Sequence, residues 1–265
     1  MLSRLSTVEL IAQMEQRRRE GDVLACDADG TLWSGDVGID AFTTLLEEKR
    51  IRPEALAALN EEARQLHLDA ETDPNEQALR LYQAFEAGSY PEDRAFAMMA
   101  WALAGHSASE AAAFAAEIIE KKALASRIHQ ELLGIVMWAR RERVPFYVVS
   151  ASPEWIVVPA IERLRLHVTR TFAMTPARDG EVLLARVTGP LTYGRGKVAA
   201  LRSGLGSKRL LAAFGDSAYD LPMLADAEIG VAVRPKVELR ARAAECPQMV
   251  ELVPRLGPRS INPTS

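Results

Sequence analysis

Apolar residues recur along this chain in two rhythms, and the change from one to the other lays out its organisation. The first twenty residues carry apolar side chains at helical spacing behind a capping box, Ser6 to Glu9, and Gly21 marks the stop. A four-residue apolar run, Val23 to Cys26, then reads as a buried strand. From about Asp36 to Ala125 strand-like runs disappear, and alanine, leucine and glutamate repeat at helical spacing. Pro53, Pro74 and Pro91 sit where first helical turns begin, and Ser107 with Glu110 forms another capping box, so about five short helices fit here. Ile128, Leu132, Ile135, Val136 and Ala139 next share one helical face ahead of the strand-like "PFYVV". The remainder alternates. "RTFAM" and "EVLLARV" flank an Asp179-Gly180 turn, a helix starts near Lys197, and "LLAAF", another helix, "IGVAV" and "MVEL" complete the pattern.

Alternation of this kind predicts an α/β fold, a doubly wound and mostly parallel sheet joined by right-handed crossovers. The helical stretch interrupts it directly after the first strand. The expected organisation is a discontinuous core, residues 1–36 and 126–255, with an all-helical cap, 37–125, inserted between, and a disordered tail, 256–265.

Composition narrows the partners. With 265 residues, 48% hydrophobic and 26% charged, the chain has length for one large domain or one domain plus an insertion. A formal net charge of -4 makes no electrostatic case for nucleic acid or an anionic membrane surface. Two cysteines, Cys26 and Cys246, are too few for a disulfide framework, which suits a reducing compartment. The N-terminal stretch lacks the apolar core of a signal peptide and no run is long enough to span a bilayer, so a cytoplasmic location is expected. Oligomeric state is left open.

Candidate chemistry lies where strands end, because ligands of an open parallel sheet sit beyond the carboxyl ends of its strands. The first strand runs into Asp27 and Asp29, "PFYVV" into Ser150, and "LLAAF" into Gly215, Asp216, Ser217 and Asp220, while Lys197 opens a helix after "YGRG". Four acids in one cleft need a counter-charge, and all-oxygen ligation suits Mg²⁺. With that cation bound, a carboxylate is a competent nucleophile toward phosphorus. Ser150, Lys197 and loop N–H groups, with Ala28, Gly30 and Ala151 as the candidate positions, would hold the phosphoryl oxygens of a small-molecule phosphate ester. Each piece alone has a blander reading: an Asp-x-Asp occurs in turns, a serine or lysine near a strand end is usually solvated, and "GDSAYD" fits an N-cap. Their joint placement at successive strand ends favours function.

The motifs "DADGT", "VVSAS", "GRGK" and "GDSAYD" resemble, in order, the four signatures of the haloacid dehalogenase superfamily, and the helical insertion resembles the cap of its phosphoserine phosphatase-like branch. That resemblance implies Asp27 as the nucleophile of an aspartyl-phosphate and Asp29 as the acid for the leaving alcohol, then the base for water. It also implies Mg²⁺ held by Asp27, Asp216 and the Asp29 carbonyl, with Asp220 supporting the metal through water or Lys197. The presence of Asp29 argues for phosphate esters over haloacids. The chain departs from phosphoserine phosphatases at Gly30 (serine there), Asp36 (glutamate) and Tyr219 (asparagine), all toward the substrate. Transfer of the phosphoryl group to a second alcohol uses the same residues, and a non-catalytic phosphate-binding module is the alternative of another class.

For the leaving group, Trp33 and Asp36 follow in the loop toward the insertion, and a ring face beside a carboxylate suits a cation, hence an amine-bearing ester such as phosphoserine, phosphoethanolamine or phosphocholine. The competing reading packs Trp33 under the lid and makes Asp36 a helix cap. Ser152, ahead of Pro153, fits an N-cap; Trp101, Trp138 and Trp155 read as packing; the four histidines share no ligand spacing.

Overall fold

A computed structural model describes residues 2–255, so the tail lies outside the described residues. A short strand β1 (Ser3–Leu5) precedes helix α1 (Thr7–Arg17) and strand β2 (Val23–Cys26). Five helices follow: α2 (Val37–Glu47), α3 (Leu56–Gln65), α4 (Pro74–Glu86), α5 (Glu92–Trp101) and α6 (Ala108–Lys121). Helix α7 (Gln130–Arg141), strand β3 (Phe146–Pro153) and helix α8 (Glu154–Arg163) return the chain to the sheet. Strands β4 (Arg170–Asp179) and β5 (Val182–Thr188) form a hairpin, then come α9 (Arg195–Leu205), β6 (Leu210–Gly215), α10 (Leu221–Ala225), β7 (Ile229–Val233), α11 (Val237–Ala241) and β8 (Met249–Leu252).

The local signals act where the sequence places them. Ser6 and Ser107 each cap a helix reciprocally with Glu9 and Glu110, a device worth about 1 kcal/mol per cap. Pro74 occupies the first turn of α4, where its missing N–H costs nothing, and Asp73 caps it. Pro91 instead precedes α5 as its N-cap residue. Ile128 falls outside α7, where it bridges to Trp33. The strand "PFYVV" runs on to Pro153, because Pro153 still pairs with Met174 of β4. Strand β1 has three residues, too few to show a period, and pairs with β8.

The eight strands among the described residues lie in the order β1-β8-β7-β6-β2-β3-β4-β5, parallel except at the β4–β5 hairpin. Along β2, Leu24 and Cys26 enter one buried cluster and Val23 and Ala25 another, the period-2 consequence of a strand covered on both faces. One face carries α9, α10 and α11. The other carries α1, α7 and α8, together with residues of α2 to α6 such as Leu45, Leu59, Leu81, Met98 and Phe114, in a single continuous core. The chain steps from β2 outward to β5, then resumes on the opposite side of β2 with β6. This topological switch falls at the carboxyl end of β2, where a crevice opens.

Candidate active site

Parallel register at the switch point brings distant segments side by side. Cys26 lies level with Phe214 of β6 and Val148 of β3, and the Asp27 N–H donates to the Phe214 carbonyl at 2.9 Å. Asp27 therefore stands between Asp216 and Ser150. Lys197 reaches the same place from the first turn of α9. Its Nζ donates to Oδ1 of Asp27 and to Oδ1 of Asp220, both at 2.6 Å. The approach needs glycine, since a Cβ on Gly196 would fall 1.7 Å from the Leu191 carbonyl oxygen. Gly30 is equally constrained: its φ is +79°, and a Cβ there would meet Asp216 Oδ2 at 2.2 Å.

Asp27, Asp216 and Asp220 are buried and present carboxylate oxygens within 4.8 Å of one another. Asp220 is already engaged, its Oδ2 accepting from the N–H groups of Asp216 (3.1 Å) and Ser217 (3.0 Å) and from Ser217 Oγ (3.0 Å). Thr31 Oγ1 donates to Asp27 Oδ2 at 3.0 Å. Three carboxylates against the buried ammonium of Lys197 and the exposed one of Lys236, which reaches Asp216 alone, leave negative charge that a divalent cation would cancel. Burial pushes the Asp27 carboxyl well up and Asp220, Asp216 and Asp29 push further, against the pull of Lys197. Asp216 is raised to about 6, by burial and then Asp220, with Lys236 opposing from 3.0 Å. Burial would lower Lys197, but Asp220 and Asp27 outweigh it and hold the ammonium charged. The oxygen donors and the uncompensated charge fit Mg²⁺.

Asp29 points elsewhere. Its Oδ1 accepts from Trp33 Nε1 and from the Val37 N–H, each at 2.8 Å, and its Oδ2 from Ser152 Oγ at 2.7 Å and Ser150 Oγ at 3.3 Å. Its carboxylate thus stands outside the acid cluster of Asp27, Asp216 and Asp220. Asp36 caps α2 through Ile39 N–H (2.8 Å) and lies 3.3 Å from Ser152 Oγ. Burial and then Asp29 raise its carboxyl to about 7.

These groups open into a cavity of about 800 Å³. Of the expected residues, Asp27, Asp29, Gly30, Asp36, Ala151 and Lys197 line it, as does Asp216. Ala28, Trp33 and Ser150 lie behind that lining with 0% exposure. Trp33 offers no ring face to a ligand, which corrects the expectation that it meets the leaving group: the turn closing on the Ala28 carbonyl folds its indole back onto Asp29. Ser150 likewise gives its hydroxyl to Asp29 and accepts from the Ser152 N–H at 3.0 Å, so it braces the acid and does not present itself to a phosphoryl oxygen. Ser152 is no N-cap; Pro153 holds that position and the hydroxyl serves the carboxylates. Trp155 is buried, donating to the Ala100 carbonyl at 2.9 Å.

Tyr219, singled out in the sequence as facing the substrate, lines the cavity, whereas Phe85, Glu92 and Phe96 from the helical segment and Tyr193 from the core line it too and were missed. Tyr193 donates to Glu92, and its ring lies 4.5 Å from that of Tyr219 and 6.1 Å from that of Phe96. Lys236 was missed too, although it follows β7 and the strand-end rule reaches it.

A family model described as haloacid dehalogenase-like hydrolase matches residues 24–225. A Mycobacterium tuberculosis protein named phosphoserine phosphatase SerB1 is 29% identical over 141 residues, 48% of this chain and 45% of that protein, so the match spans a little under half of the relative. Among solved structures, a protein of unknown function from Bordetella pertussis Tohama I superposes with a TM-score of 0.68 at 20% identity, over 88% of this chain and 98% of the other. One from Anaerococcus prevotii DSM 20548 does so at 0.67 and 13%, over 94% and 92%. At these identities the structural likeness concerns the fold.

Proposed function

Since the chain belongs to the haloacid dehalogenase-like hydrolase family, we propose that it is a Mg²⁺-dependent phosphomonoesterase working through an aspartyl-phosphate. One observation carries this reading: Asp27 and Asp29, two positions apart, occupy different environments. Asp27 shares a lysine and two further acids, while Asp29 sits among four donors outside that cluster. Separate environments for neighbouring carboxylates are how one site holds a nucleophile and an acid together. The relative named phosphoserine phosphatase adds support for phosphate-ester chemistry.

In this mechanism an Asp27 oxygen forms a bond to phosphorus as the ester P–O bond breaks, and the departing oxygen takes a proton from Asp29. Asp29 then accepts a proton from water, which attacks the aspartyl-phosphate and releases phosphate and free Asp27. Lys197 holds Asp27 in place and offsets charge, and Asp220 holds Lys197 and the loop of Asp216. Asp27, Asp216 and the Asp29 carbonyl would hold Mg²⁺, which supplies positive charge to the phosphoryl oxygens when bound.

We further propose that residues 37–125 are a cap on a core of 1–36 and 126–255, the helical segment contributing Phe85, Glu92 and Phe96 to the cavity. The substrate is a small ester with an amine-bearing leaving group. In place of Trp33, the aromatic wall of Phe85, Phe96, Tyr193 and Tyr219 beside Asp36 and Glu92 supports a cationic ligand. Two buried free cysteines are consistent with a cytoplasmic, reducing location.

Phosphate release from a panel of monoesters, with Mg²⁺ or with chelator, tests the proposal. Asp27→Asn should abolish release while keeping the circular dichroism spectrum. Full activity of that variant, or undiminished activity in chelator, sinks the mechanism. A sugar phosphate leading the panel, or Asp36→Ala lowering kcat/KM equally for charged and neutral leaving groups, removes the amine assignment alone.

A further inference from the structure

Both oxygens of the Asp29 carboxylate are engaged, but by donors of different kinds. Oδ1 meets the Trp33 indole N–H and the Val37 amide N–H, each at 2.8 Å. Val37 is the first residue of α2, so its N–H has no partner within the helix. An indole or amide N–H donates and cannot accept, so a proton on Oδ1 would face two donors with no acceptor. Oδ2 meets hydroxyls, Ser152 Oγ at 2.7 Å and Ser150 Oγ at 3.3 Å. A hydroxyl can turn. When Oδ2 carries a proton, Ser152 Oγ can accept from it and give its own hydrogen to Asp36 Oδ1, 3.3 Å away.

We propose that Trp33 is a positioning residue for proton transfer: with the Val37 N–H it occupies Oδ1, which assigns the transferable proton of Asp29 to Oδ2. The inference rests on the phosphomonoesterase reading above and on donor chemistry, not on an acid strength. In the step concerned, the Asp27 oxygen–phosphorus bond forms and the ester P–O bond breaks. Its electron pair goes to the leaving oxygen, which takes the proton from Asp29 Oδ2. Trp33 touches neither substrate nor phosphorus. It is fully buried and acts only through the carboxylate. Removing its N–H leaves Oδ1 with the Val37 N–H alone, so a proton there faces one donor in place of two and the productive arrangement is populated less.

Leaving groups separate this role from a structural one. An alkoxide leaves poorly without a proton, whereas 4-nitrophenolate leaves as the anion. The readout is kcat/KM, which reports steps up to departure of the leaving group and omits hydrolysis of the aspartyl-phosphate common to both esters. For Trp33→Phe in Mg²⁺ buffer, kcat/KM for an alkyl phosphate should fall about tenfold further than kcat/KM for 4-nitrophenyl phosphate, a part of what general acid catalysis contributes. Site-directed 3-benzothienylalanine at position 33 keeps the bicyclic shape without the N–H and should give the same ratio, with thermal unfolding like the wild type. Equal losses for both esters, or an unchanged ratio in the benzothienyl variant, overturn the inference. A wild type that releases phosphate from neither ester overturns the phosphomonoesterase reading itself, a different outcome.

Discussion

Replacing Lys197 by methionine removes a buried ammonium while keeping most of its length. The side chain is 5% exposed and donates at 2.6 Å to both Asp27 and Asp220. Without it, Asp27, Asp216 and Asp220 face one another with no buried counter-charge, and Lys236, 61% exposed, reaches Asp216 alone. Breaking a buried ion pair by deleting one partner costs about 3–5 kcal/mol. At the upper urea slope for soluble domains, near 3 kcal/mol per molar, this lowers the unfolding midpoint by roughly 1 to 2 M. The assay is urea unfolding followed by far-UV circular dichroism, in chelator and in Mg²⁺. Because a cation that binds only the folded state adds stability by mass action, and the variant leaves one more negative charge uncompensated, Mg²⁺ should raise the variant's midpoint more than the wild type's. A loss under about 1 kcal/mol in chelator, or a Mg²⁺ effect no larger in Lys197→Met than in the wild type, would refute the assignment of Lys197 as counter-charge to the cluster.

Gly30→Ala puts a Cβ 2.2 Å from Asp216 Oδ2 at a φ of +79°. A left-handed conformation costs an L-residue about 1–2 kcal/mol, and Asp216 must also move, so phosphate release should collapse while thermal unfolding shifts only a few degrees; wild-type turnover would contradict the geometry. Burial would raise the carboxyl of Glu131, but hydrogen bonds from Arg234 at 2.7 Å and the Arg255 N–H outweigh it and hold it below its ordinary value. A lowered folded-state value gives stability that is present above the unfolded pKa, about 4.3, and lost as pH falls through the folded one. Glu131→Gln should therefore lose about 2 kcal/mol at pH 7, with a deficit that shrinks below about pH 4; a pH-independent deficit excludes the ion pair as its source. Beryllium fluoride with Mg²⁺ should slow hydrogen exchange across residues 30–40 if the helical segment closes over a phosphoryl group, and unchanged exchange there counts against closure.

Much of this protein is written locally. The apolar run Val23 to Cys26, the capping boxes at Ser6 and Ser107 and the prolines at the heads of α4 and α5 act within a turn or two, so the elements they mark can be read from the chain. The acids at strand ends are legible for a related reason: a parallel sheet aligns its carboxyl ends, so Asp27 and Asp216 converge once the strands are recognised, while Lys197 reaches them from the first turn of α9. Which way a side chain faces within that convergence is not local. Trp33 reads equally as a pocket wall or as packing, and only the turn on Ala28 and the seat of Val37 at the head of α2 send its N–H to Asp29. Phe85 and Phe96 lie on helices whose apolar faces all look alike in sequence. Tyr193 and Tyr219, far along the chain, decide that these two rings border the cavity while Phe114 packs on Trp155 in the core. Apolar periodicity records that a residue is hidden from water, whereas the neighbour that hides it is chosen by the packing of segments a hundred residues apart.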